Sequence, residues 1–112
     1  MATHKMNLQQ KYFNFIKDGT KRIELRLFDE KRQKIQLNDI IEFDNGNNEK
    51  IITKVIGLLR YQSFQELFND FDISLLADAS MTKTELQNAL EEFYTPEKQA
   101  KYGVLGIRLE LS

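Results

Sequence analysis

The sequence predicts an α+β fold, a small, mostly antiparallel β-barrel with flanking helices. Three observations lead to that class. Strand-like stretches separated by turns fill the first half of the chain, capped amphipathic helices follow, and an alternating apolar stretch closes it. At 112 residues the chain is the size of one domain, so 1–112 reads as a single unit. With 41% hydrophobic residues and eight phenylalanines it holds enough apolar surface for one packed core.

Each element has its own signal. Leu8, Tyr12, Phe15 and Ile16 fall at i, i+4, i+7 and i+8, the apolar stripe of a short helix that Gly19 is placed to end. A strand is expected at about 20–27. A turn at Asn38-Asp39 precedes a strand through Ile41 and Phe43, and "DNGNN" carries the Asn-Gly chemistry of a hairpin loop ahead of "KIITKVIGLL". Ser63 and Glu66 make a capping box before Leu67, Phe68 and Phe71. Thr82 and Glu85 repeat the device, with Met81 and Leu86 as a staple before Ala89, Leu90 and Phe93. Pro96, after Thr95, opens a short helical turn, and "GVLGIRLEL" alternates as a strand. The expected order is α-β-β-β-α-α-β. At helical spacing, Phe13, Phe15, Phe64, Phe68 and Phe93 are expected in the core rather than as stacking platforms.

Composition narrows the function. No cysteine is present, which excludes disulfides, thiolate zinc sites and cysteine nucleophiles. His4 is the one histidine and sits in a terminus expected to fray, so a Ser-His-Asp triad is not expected. Asp70 and Asp72 are spaced as at a helix end, and neither a metal nor a cofactor is expected. The N-terminus lacks an apolar signal core and no run reaches the ~18 apolar residues of a membrane span, so the expected location is cytoplasmic and no membrane partner is expected. A net charge of −1 argues against a strongly electrostatic nucleic-acid binder. The charges are nonetheless segregated. Residues 17–34 carry seven basic and four acidic side chains, and 60–97 carry two basic and eight acidic. RNA binding, on this reading, uses the 17–34 face, weakens with salt and leaves the helices of 63–93 uninvolved.

The stretch "IKDGTKRIELRL" is the least ordinary part of the chain. Lys21 falls on the same alternation as Ile23, Leu25 and Leu27, while Glu24 and Arg26 share the other face. The three converge only if Lys21 lies in the Gly19 turn or a bulge intervenes. Once converged, Arg26 would hold the Glu24 carboxylate and Lys21 would meet a phosphate or a base carbonyl. Read without function, the same three form a structural ion-pair cluster at the barrel mouth. Tyr61 and Tyr102 lie beside expected strand ends, where a ring could flank a base.

"GTKRIELR" resembles the Gly-x-Lys-x-x-Glu-x-Arg signature of ASCH domains, the PUA-like barrels related to a domain of a human transcription coactivator, some of them small stand-alone bacterial proteins. "YFNFIKDG", "LNDIIEF", "LLRYQSFQELF" and "YGVLGIRL" follow the family's order along nearly the whole chain. The resemblance implies a PUA-like barrel with Lys21 and Glu24 close together at the rim of a pocket. It also implies RNA or nucleotide binding in a cleft lined by Lys21, Glu24 and Arg26, with Tyr61 and Tyr102 as flanking ligand contacts. Two enzymatic branches of the family offer an alternative, a metal-independent hydrolase acting on N-acetylated cytidine or on single-stranded RNA, with Lys21 and Glu24 catalytic. The amidohydrolase branch pairs its lysine with a threonine three residues later, and Glu24 occupies that position here. The expectation is slow hydrolysis of N-acetylated cytidine, raised by Glu24→Thr if the rest of the pocket is intact. A second alternative is a protein-interaction module whose acidic 60–97 segment meets a basic partner.

Overall fold

The computed structural model describes residues 1–77 and 80–111; Asp78, one of the acidic residues counted above, lies outside them. Five strands, β1 (Thr3–Asn7), β2 (Ile23–Leu27), β3 (Ile40–Asp44), β4 (Lys50–Tyr61) and β5 (Val104–Leu111), form one sheet in the order β1-β3-β4-β5-β2. The sheet curls into an open half-barrel, and every pairing except parallel β1–β3 is antiparallel. The helices are α1 (Gln10–Lys17), α2 (Phe64–Asp70), α3 (Ile73–Leu76), α4 (Lys83–Glu91) and α5 (Pro96–Tyr102). Among the described residues, no helix is long and apolar enough to cross a membrane.

β1 corrects the expectation of a frayed terminus. Of its five residues only Met6 is buried, so its sequence gives no alternation to read. The strand is held from outside, by β3 and by the turn before it. Asn38 takes a positive φ of 74°, and Asp39 accepts from the backbone N–H groups of Ala2 (3.2 Å) and Gln36 (3.0 Å) and pairs with His4 Nε2 at 2.8 Å. The bond to His4, with those two N–H groups, keeps the Asp39 carboxyl below its ordinary value of 3.8 against the effect of burial. A lowered folded pKa means that this lock is complete above the ordinary carboxyl range and is lost as pH falls through the lowered value. Amide exchange of β1 should therefore accelerate on acidification below about pH 4, ahead of β4 and β5, and Asp39→Asn should remove the pH dependence. Equal protection of β1 and β4 at all pH values would contradict this.

A bulge in β4 bends the sheet. The register with β5 steps from Val55↔Leu109 to Gly57↔Arg108, leaving Ile56 unpaired, and at Gly57 a Cβ would stand 3.0 Å from Arg108 Cδ. Curling produces two cores. Met6, Phe13, Ile16, Ile41, Phe43, Val55 and Ile107 fill the inside of the half-barrel. Ile23, Leu25, Leu27 and Val104 pack outward against Phe64, Leu67, Leu76 and Leu86 of α2 to α4. Gly106 permits that second layer, since a Cβ there would lie 3.0 Å from Leu67 Cδ1. Capping sets the helix starts: Ser63, Thr82 and Thr95 each accept from the N–H three residues on, and the Thr82–Glu85 box is reciprocal. Buried Gln99 ties the two ends of the helical layer together, accepting from Phe64 N–H and donating to the Tyr94 carbonyl.

Phe13, Phe64 and Phe68 are core as expected, and Phe15 is half-buried. Phe93 is not core. It is 59% exposed, because α4 ends at Glu91 and the chain turns before the apolar stripe reaches it.

Candidate functional site

Gly19, with φ of +84°, reverses the chain after α1, and Lys21 lies in the link before β2 rather than in it. Its own N–H donates to the Phe15 carbonyl at 3.0 Å. Lys21 is thereby released from the strand alternation, and convergence with Glu24 and Arg26 becomes possible.

The ladder explains why a lysine stands there. Leu109 N–H donates to Arg22 O and Phe28 N–H to Gly103 O, which fixes the phase of the β2–β5 pairing. Even-numbered residues of β2 turn their peptide groups toward β5, and odd-numbered residues turn theirs outward along the free edge. The Ile23 carbonyl is one of these outward groups. Lys21 Nζ donates to it at 2.5 Å, to the Leu76 carbonyl at the end of α3 at 2.5 Å, and pairs with Glu24 Oε1 at 3.3 Å. All three ammonium protons thus have an acceptor, and Lys21 is only 4% exposed. It pins α3 to the open edge of β2.

Glu24, 5% exposed, divides its oxygens between two cations. Oε1 faces Lys21, while Oε2 accepts from Arg26 Nε (3.1 Å) and Nη2 (2.9 Å). Arg26 Nη2 also donates to the carbonyl of Asn7, the last residue of β1, at 3.0 Å. β1 and β2 are the two edge strands of the sheet, so Arg26 stitches the seam of the half-barrel. Burial would raise the Glu24 carboxyl, but the charges of Lys21 and Arg26 outweigh it and hold it below the ordinary carboxylate range. Burial draws the Lys21 ammonium below its usual range against the pull of Glu24, while two carbonyls and a carboxylate surround Nζ. The cluster is one buried anion between two cations.

A cleft of about 340 Å³ opens beside this cluster. Glu24, Leu25 and Arg26 all line it, although consecutive strand residues point to opposite faces, so the cleft runs along the free edge of β2. Asn7 and Tyr12 form one wall, and Leu86, Leu90, Phe93 and Tyr94 the other. Lys21 and Glu24 both line this cleft and stand 3.3 Å apart. α3 and α4, through Leu76, Leu86 and Leu90, supply a wall of the cleft. The donors of Lys21 are committed within the fold.

Tyr61 and Tyr102 are not brought to this cleft. They line a separate one of about 1090 Å³ at the far ends of β4 and α5, where the Tyr61 hydroxyl donates to Asp70 at 2.5 Å. Sequence reasoning missed Tyr12, Phe93 and Tyr94 as cleft residues. Each lies on or just past an apolar helical stripe, and only the seam reveals which of them faces outward. Among the described residues no group of three or more His, Asp or Glu side chains is placed to hold a metal ion.

The sequence profile of the ASCH domain matches residues 6–112. The chain belongs to the ASCH family. Two solved structures share its architecture over nearly their whole length. The crystal structure of hypothetical protein PH0355 is 36% identical, with a TM-score of 0.89, covering 98% of this chain and 99% of that one. The solution structure of PF0455 from Pyrococcus furiosus is 32% identical, with a TM-score of 0.79, covering 97% and 96%. No curated protein matches the chain. The ASCH half-barrel here holds Lys21, Glu24 and Arg26 at the seam, with Glu24 in contact with both cations.

Proposed function

We propose that this ASCH domain binds RNA by taking one unpaired nucleotide into the seam cleft, with Glu24 and Arg26 at its base. One observation carries the reading: a buried carboxylate, fixed by two cations, faces a cleft of about 340 Å³ whose other walls are aromatic and aliphatic. That is the build of a small-molecule site, mostly apolar with a few convergent polar groups. A nucleobase suits it because the ring can stack on Phe93 or Tyr94 while its amino or imino N–H donates to the carboxylate. The Glu24 charge persists to low pH, which keeps it an acceptor. Arg26 uses Nε and Nη2 on Glu24 and the Asn7 carbonyl and also interacts with the Tyr94 side chain, so the guanidinium lies in the cleft wall beside a ring on which a base could stack.

Binding suits the geometry better than turnover. General-base work by Lys21 needs a free amine, and this ammonium donates in three directions; a carboxylate stabilised by two cations is a weak proton acceptor.

Titration of isotope-labelled protein with the four ribonucleoside monophosphates tests the proposal. Shifts should concentrate at Asn7, Tyr12, Arg26 and Tyr94. Phe93→Ala should leave the melting temperature within about 2 °C, as a surface change, and weaken binding roughly tenfold, the loss of one stacking partner. Saturating shifts elsewhere, or none for any monophosphate, would remove the basis of the reading.

A further inference from the structure

In the larger cleft a planar cation stands over an aromatic ring. Arg60 is exposed at the end of β4, and its guanidinium carbon sits 4.0 Å from the centroid of Phe28. Among the described residues Arg60 makes no ion pair within 4.0 Å. Phe28 is half-buried against the inner core, so the ring under the guanidinium is firmly held while Arg60 itself is exposed. Tyr61 and Tyr102 line the same cleft, and Lys101 Nζ stands 5.1 Å from the centroid of the Tyr102 ring.

The two clefts adjoin along the chain. Arg26 lines the first and Phe28, the residue after β2, lines the second, two residues on along an extended stretch and about 7 Å away. Tyr94 and Pro96 divide between them in the same way.

The geometry points to the larger cleft as a second nucleotide subsite, in which a base flanking the one held at the seam stacks on the Arg60 guanidinium. It rests on the seam cleft being a nucleotide site. Its chemistry is sequence-tolerant. A guanidinium plane accepts any base, and a cleft with both Lys101 and Glu66 in its wall has no strong net charge, so the subsite lengthens the footprint rather than choosing the base. Binding at this subsite is accordingly carried by stacking more than by counterion release.

The test is a length series of single-stranded homopolymer RNAs, from one to six nucleotides for each base, followed by fluorescence anisotropy and by side-chain and backbone NMR shifts. Monophosphates should shift the seam residues alone. Oligonucleotides of three or more should bind roughly tenfold tighter and also shift Arg60 Nε and Gly103 N–H. Arg60→Ala should abolish that gain with length. Arg60→Lys should abolish most of it too, since it keeps the charge but not the plane. Affinity that does not rise with length, or a gain that survives Arg60→Ala or is restored by lysine, overturns the stacking subsite while leaving monophosphate binding at the seam intact. Absence of monophosphate shifts at the seam overturns the first reading instead, and the hexamer's effect on Arg60 then decides the second cleft by itself.

Discussion

Replacing Glu24 with glutamine should destabilise the domain by about 3–5 kcal/mol, the range for breaking a buried ion pair by removing one partner. Glutamine has nearly the same shape, so packing is preserved and charge is the variable. Without the carboxylate, Lys21 and Arg26 stand as two buried like charges with nothing between them. For a domain of this size the melting temperature should fall by more than about 12 °C. Lys21→Met should cost less, about 1–3 kcal/mol, because it leaves the neutral Glu24–Arg26 pair and strands carbonyls rather than a charge. The pH dependence has a definite sign. Glu24 has a folded pKa below its ordinary 4.5, so its contribution is complete above that value and is lost as pH falls through the lowered one. Acid unfolding of the unmodified chain should therefore be steep in that window, and that of Glu24→Gln shallower. Thermal melts from pH 7 down to pH 2 on both proteins provide the check. A melting temperature within a few degrees of the parent, with the same acid profile, would mean that the cluster is not coupled to folding.

A second large effect is expected in chemistry. The chain should hydrolyse N-acetylated cytidine at least about 10²-fold more slowly than an ASCH amidohydrolase that has a working nucleophile and base. Glu24 has no hydroxyl. Sequence alone suggests that Glu24→Thr would raise the rate if the pocket stayed intact, but the structure shows what that change removes. Threonine would delete the anion that holds both cations, and Lys21 would still donate to Ile23 and Leu76 rather than accept a proton from the new hydroxyl. We therefore expect Glu24→Thr to gain little activity and to lose stability comparably to Glu24→Gln. Product release followed by chromatography, at a temperature where circular dichroism shows each variant folded, tests both points. Robust turnover by the unmodified chain, lost in a folded Lys21→Met, would make Glu24 the general base for an attacking water.

What the sequence determined by itself is local. Capping residues and glycines set where α2, α4 and α5 begin and where α1 stops, because a cap needs only neighbours within one turn. The octet around Lys21 identified the family and the three charged residues of the seam. The hairpin and the turn at Asn38 were equally legible, since positive φ favours the asparagine and glycine found there. Tertiary structure decided the rest. β1 has one buried residue and exists because β3 and Asp39 supply its hydrogen bonds from more than thirty residues away. Phe93 carries a core-like periodicity, but the helix that would bury it ends two residues earlier. Tyr61 and Tyr102 look like partners of Lys21 along the chain and lie across a different cleft in space. Lys21 itself reads as a free cation until the ladder phase shows that an outward carbonyl of β2 needs a donor. Burial and hydrogen-bond satisfaction depend on which edges of a sheet remain open, and an open edge is a property of the closed fold rather than of any segment of sequence.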